Sequence, residues 1–352
     1  MANGWVFSPR LDLLTFGGSA LLSLGLLALG LAFGWDEQPV SPTLFVGAVV
    51  LVDVAHVWST SLRTYCDRES FTRHKTLYLT LPLAGYVAGL ALYSEGPLLF
   101  WRAFAYLAVF HFVRQQSGWV KLARLGDDAT PSWLDALVIH SAAFAPIAYW
   151  HAHLPRAFDW FITGDFLVMP EAAARLLWIS SCILFVISIF SYIVLHARAG
   201  RRQAWGKHLV VSTTIALWWL GIVVFDSDYA FTVTNVFAHG IPYLVLIAVY
   251  ARRRSPLVAG GWLAHFRTHT VPKLLGAVWL VAWLEELLWD RTVWHDHPTL
   301  FGASISLGGM APFWVPLLAL PQLTHYALDG FIWRRSFDPW LKQVLASRAP
   351  DR

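Results

Sequence analysis

Apolar residues in this chain gather into long unbroken runs, separated by short stretches that hold most of the charge, proline and glycine. Ten runs of roughly membrane-crossing length stand out, near residues 11–33, 43–62, 76–93, 97–119, 133–153, 171–196, 207–225, 229–251, 272–289 and 311–333. A hydrocarbon core of about 30 Å needs about 20 such residues in helical form, so each run predicts a membrane-spanning helix. The first is too long for the apolar stretch of a signal peptide and is read as a retained helix. The glycine-rich stretch 300–309 is too small for a span, and 158–169, where aromatic and acidic residues interleave, is expected to lie along the outer interface. The expected fold is an all-α, polytopic helical bundle filling residues 1–352 as a single transmembrane domain.

Basic residues in short loops favour the cytoplasmic side. The stretches after the second, fourth, sixth and eighth runs carry Arg63, Arg68, Arg73 and Lys75; Lys121 and Arg124; Arg198, Arg201, Arg202 and Lys207; and Arg252, Arg253, Arg254, Arg267 and Lys273. The opposite loops hold mainly Asp36, Glu37, Glu95, Asp159, Asp165, Asp226 and Asp228. This alternation predicts ten spans with both termini cytoplasmic, in the cell membrane, or the inner membrane of a bacterium. Tryptophans near the run ends, Trp101, Trp119, Trp133, Trp150, Trp289, Trp314 and Trp333, are expected as an interfacial belt.

Composition agrees with this reading. Of 352 residues, 57% are hydrophobic and 14% charged, and the mean hydropathy is +0.52. A soluble domain carries about 25% charged residues, so an ordinary soluble enzyme and a disordered tail are excluded. Cys66 and Cys182 alone do not make a disulfide scaffold. The net charge of +4 follows from the cytoplasmic loops and calls for no nucleic-acid partner.

Fourteen histidines are many for so apolar a chain. Placed on the expected topology, His56, His111, His140 and His325 fall about 10 Å inside the cytoplasmic boundary at 1.5 Å of rise per residue, and His239 falls nearer the midplane. Four of the five have a polar neighbour one helical turn away: Asp53 before His56, Gln115 after His111, Asn235 before His239 and Asp329 after His325. Such faces belong in a bundle interior, where imidazole beside carboxylate or amide binds a metal or orients a group that does. Neutral imidazoles with carboxylates suit one or two non-haem iron ions, while two histidines on facing helices could hold haem, with Arg114 pairing a propionate. Arg114 otherwise snorkels or clamps an anion. Glu285 and Glu286 are adjacent in the ninth run, so at most one faces a common site.

Histidines gathered by membrane helices, with the spacing His265-Phe-Arg-Thr-His269 alongside, resemble the integral-membrane iron oxygenases: fatty-acid desaturases and hydroxylases, and carotene-cleaving oxygenases of the Brp/Blh type. The HxxHH boxes of the desaturases have no counterpart here, so the resemblance extends to a style of site. It implies iron that activates dioxygen to hydroxylate, desaturate or cleave a lipid. The expected function is therefore an iron-dependent membrane oxygenase acting on a hydrophobic, lipid-like substrate with dioxygen and a cytoplasmic electron donor. His56, His111, His140, His239 and His325 are the expected ligands; Asp53 and Asp329 are further ligands or tautomer-fixing acceptors, and Gln115 and Asn235 orient water or substrate. A haem-binding electron-transfer protein and a proton-coupled transporter using His/Asp pairs are the competing classes.

Overall fold

The computed structural model describes residues 4–124, 129–199, 204–257, 262–334, 336–338 and 341. These are all helix, turn or loop, with no strand among the described residues. The long helical stretches are α1 (Pro9–Phe33), α2 (Pro42–Arg63), α3 (Lys75–Glu95), α4 (Pro97–Ala123), α5 (Ser132–Ala152), α6 (Glu171–Ala199), α7 (Trp205–Val224), α8 (Asp228–Leu257), α9 (Thr270–Trp289), α10 (Ala311–Leu318) and α11 (Leu320–Ile332). Every expected run is thus helical, the last one broken at Ala319. Among the described residues six helices, α1, α2, α3, α6, α7 and α8, are long and apolar enough to cross a membrane. The others carry buried polar residues or a break: Asp135 in α5, Glu285 and Glu286 in α9. The exterior of α6 is apolar, exposing Leu176, Ile183, Ile187, Phe190 and Ile193, a surface suited to lipid.

Local sequence explains the helix ends. Ser8, Ser41 and Ser227 each cap a first turn by accepting the backbone N–H three residues on, and Pro9 and Pro42 follow as first helical residues. α1 stops at Gly34, whose φ of 68° closes the helix in a left-handed conformation.

The chain divides into two compact units, unit 1 comprising Met1–Val40 and Ala105–Pro242, and unit 2 comprising Ser41–Phe104 and Tyr243–Arg352. In unit 1 an aromatic core is built from Phe112, Trp150, Phe158, Phe166 and Trp218. The stretch expected along the interface is therefore a folded loop whose Phe158 and Phe166 are buried, because its rings find protein partners. Trp101, Trp119, Trp150 and Trp289 are likewise buried, while Trp133 is exposed as a belt residue would be. The rings of the first four stabilise by packing.

Several basic residues assigned to the cytoplasmic loops turn out to be internal. In unit 1 Lys207 is buried against Asp135 at 2.9 Å and Thr130 at 2.7 Å. In unit 2 the fully buried Arg63 donates to Asp338 at 2.6 Å and to the Ile332 carbonyl at 2.9 Å, and Arg254 pairs with Asp67 at 3.0 Å. Burial alone would raise the Asp67 carboxyl. Hydrogen bonds from Arg254 and Tyr250, with the Arg254 charge, instead hold it below the usual carboxylate range. Arg201 and Arg202 lie outside the described residues, as do both chain ends.

Candidate metal-binding histidines

Unit 2 brings His56 of α2 against His325 of α11. Both are 1% exposed. Their ring centroids lie 4.8 Å apart with planes crossed at 84°, and one nitrogen of each lies within 4.8 Å of the other. Asp53 Oδ1 stands 3.5 Å from His56 Nδ1, one turn earlier on α2. His325 Nδ1 is hydrogen-bonded to Thr60 Oγ1 at 2.6 Å, and Thr60 in turn to Tyr243 Oη at 2.9 Å. With Nδ1–H donating to Thr60, His325 keeps the Nε2 lone pair for a metal, and a carboxylate or hydroxyl behind an imidazole fixes its ring orientation.

Unit 1 brings His111 of α4 against His239 of α8, ring centroids 5.0 Å apart and planes crossed at 88°. Phe112 stacks on His239 at 3.7 Å with planes 6° apart, and Trp160 packs edge-on to Phe112. Gln115 donates its Nε2–H to the His239 carbonyl at 3.3 Å, and Asn235 donates Nδ2–H to Thr234 Oγ1 at 3.0 Å. The side-chain carbonyls of both amides are buried with no hydrogen-bond partner among the described residues. A buried acceptor left so is costly unless something supplies a donor or a cation. Gly221 makes room for Asn235, since a methyl group there would overlap Thr234 Oγ1 and Asn235 Nδ2.

The two units share a backbone device. The π-helical segment Phe45–Val54 holds Asp53 and returns to α-helix just before His56. The π-helical segment Thr232–Val236 holds Asn235 and returns to α-helix at Phe237, just before His239. A widened turn shifts side chains off the regular helical face and recurs at functional sites.

The other expected members have surroundings of their own. His140 is exposed on α5, its Nδ1 2.6 Å from the Ala136 carbonyl of its own helix, so it points to the outside of the bundle. Asp329 accepts the Trp333 indole N–H at 3.0 Å, while the Nδ1 partner of His325 is Thr60. The Arg114 guanidinium lies over the Phe110 ring of its own helix, 5.8 Å from the centroid. His265 lies in a 3₁₀ turn and His269 is left-handed with φ 51°; both are exposed, so the HxxxH pair is not one helical face.

Two contributors, Thr60 and Tyr243, escaped the sequence. Thr60 follows His56 by one turn, a visible signal, whereas its bond to His325 is a tertiary contact. Tyr243 follows His239 by one turn in the same way. Glu285 and Glu286, of which at most one was expected to face a common site, are both buried. Glu285 accepts N–H donors from three helices: Trp58, Trp289 at 3.2 Å and Gln322 at 2.6 Å. Glu285 is thus a carboxyl group fixed by neutral donors next to α11 in unit 2.

A nitrogen bound at about 2.1 Å places its imidazole centroid about 3.2 Å from the ion. Two ligands at angles between 90° and tetrahedral then have centroids about 4.5–5.2 Å apart, and two trans ligands about 6.4 Å. Both crossed pairs fall in the first range. No protein-family model, curated protein or solved structure matches this chain.

Proposed function

We propose that this chain is a ten-span membrane metalloenzyme with both termini cytoplasmic, in the cell membrane, or the inner membrane of a bacterium. It uses one or two non-haem iron ions, held by His56, His325, His111 and His239, to oxidise a lipid or isoprenoid that enters from the bilayer. The observation that carries this reading is the pair of buried, crossed imidazole contacts at 4.8 and 5.0 Å. That spacing supports a small ion with adjacent imidazole ligands. It disfavours haem between the members of either pair, which requires trans nitrogens. Neutral imidazole with the Asp53 carboxylate suits iron, which when bound supplies the activation of dioxygen, with electrons from a cytoplasmic donor.

The chain's own residues orient and exclude. Asp53 and the Thr60–Tyr243 relay fix ring orientation in unit 2. Glu285 supplies a further carboxyl group held by neutral donors. In unit 1 the Gln115 and Asn235 carbonyls accept from water or from a substrate hydroxyl, and the Phe112, Trp160 and Trp150 rings keep bulk water away. His140, exposed on α5, takes no part in the ligand set.

The test is metal analysis with an absorption spectrum on protein purified from iron-replete cells. One or two irons per chain without a Soret band are expected. Protein free of bound metal overturns the proposal. A Soret band lost on replacing just two histidines replaces it with the haem-binding electron carrier.

A further inference from the structure

A third pair of imidazoles in unit 1 is not used above. His196 ends α6 and His208 begins α7; His196 is 4% exposed. Their ring centroids lie 4.4 Å apart with planes crossed at 78°, which repeats the geometry of the other two pairs at a slightly shorter spacing. Tyr192, one turn before His196 on α6, places its hydroxyl 2.8 Å from His208 Nδ1. Lys207, the next cation, lies over the Tyr192 ring at 5.2 Å and is neutralised by Asp135 at 2.9 Å. It therefore does not set an unbalanced positive charge beside the rings.

We propose that His196 and His208 form a separate site for a divalent transition ion of tetragonal preference, Cu²⁺ or Ni²⁺. Ligand nitrogens at right angles bring the two centroids to about 4.5 Å, at the lower end of the range that adjacent ligands allow, and the observed spacing matches that angle. Right-angle nitrogen pairs occur in octahedral sites as well, so the choice of ion follows the affinity order of the divalent series, which peaks at Cu²⁺ and places Ni²⁺ next below it. Water fills the remaining positions. Tyr192 is a positioning residue: with the His208 Nδ1–H donating to its hydroxyl oxygen, Nε2 presents its lone pair to the ion, and the hydrogen bond raises the basicity of the ring. The site does not depend on the function proposed for His56 and its partners.

The full chain in lipid nanodiscs, stripped with a chelator, is titrated with Cu²⁺ and followed by electron paramagnetic resonance. The wild type is expected to bind one more equivalent than the His196→Ala/His208→Ala variant, with coupling to two nitrogens that the variant lacks. Tyr192→Phe is expected to weaken that equivalent about tenfold, the lower end of the range for lost ligand-orienting partners. His208→Gln keeps most of the side-chain volume, and its helical circular dichroism shows whether the fold survives. His325→Ala is expected to leave this equivalent intact, which separates the site from the one in unit 2. A folded His208→Gln or double variant that keeps the same stoichiometry and the same two-nitrogen coupling overturns the proposal.

Discussion

In unit 2 the His56–His325 contact is surrounded by polar side chains: Asp53 at 3.5 Å, Thr60 at 2.6 Å, and Tyr243 beyond it. In unit 1 the His111–His239 contact has a phenyl ring flat against one imidazole at 3.7 Å, and its nearby amides spend their N–H groups on protein oxygens. The crossing geometry is nearly the same while the surroundings differ, and the difference separates two jobs. Hydrogen bonds to an imidazole tune its lone pair and hence its affinity for an ion. Stacked rings fix position and exclude water but leave the lone pair unaltered. Under the proposed function, unit 2 is accordingly the half where polar changes are expected to alter metal affinity. Unit 1 is the half where apolar changes alter stability.

The largest effect is expected from removing an imidazole in unit 2. His325→Ala takes away one ligand and leaves Thr60 and Tyr243 facing a cavity, so metal content measured by mass spectrometry should fall to background while the helical signal persists. A folded variant with full metal occupancy removes His325 from the site and with it the asymmetry between the units. Next comes Thr60→Val, which keeps the side-chain shape and deletes the hydroxyl behind His325. Loss of such an orienting partner weakens metal binding about 10–100-fold. A competition titration against a chelator of known affinity reads the change, and unaltered affinity means that Thr60 only packs.

Much of this architecture is legible in the sequence, because lipid imposes a simple rule. The run lengths mark all the long helices, and one-turn spacing singles out Asp53 with His56. What the sequence withholds is direction around the helix. His140 sits at the expected depth yet is exposed, since depth follows from counting residues while facing depends on packing against α6. The π-helical turns at Phe45–Val54 and Thr232–Val236 rotate the following residues away from the regular 100° step, so face assignments drawn with an ideal helix drift there. Arg63 and Lys207 look like loop charges because sequence cannot reveal Asp338 and Asp135 as their partners across long separations. His196 and His208 come together only in the fold, for the same reason.

The smallest expected change is also the one that tests the division of labour most sharply. Phe112→Leu in unit 1 removes the ring stacked on His239 and the edge contact with Trp160 but keeps an apolar side chain of similar reach. Aromatic pair terms are worth about 0.5–1.5 kcal/mol beyond area burial, and the smaller side chain leaves part of the space unfilled. The variant should therefore lose about 1–2 kcal/mol of stability in a reversible unfolding titration. Its metal affinity should stay within about threefold of the wild type, because no hydrogen bond to an imidazole nitrogen has changed. If instead Phe112→Leu weakens metal binding as far as Thr60→Val does, with stability unchanged, the ring acts on the lone pair of His239 after all. The two halves would then be doing the same work with different residues, since a stack that tunes affinity is functionally equivalent to the hydroxyl relay of unit 2.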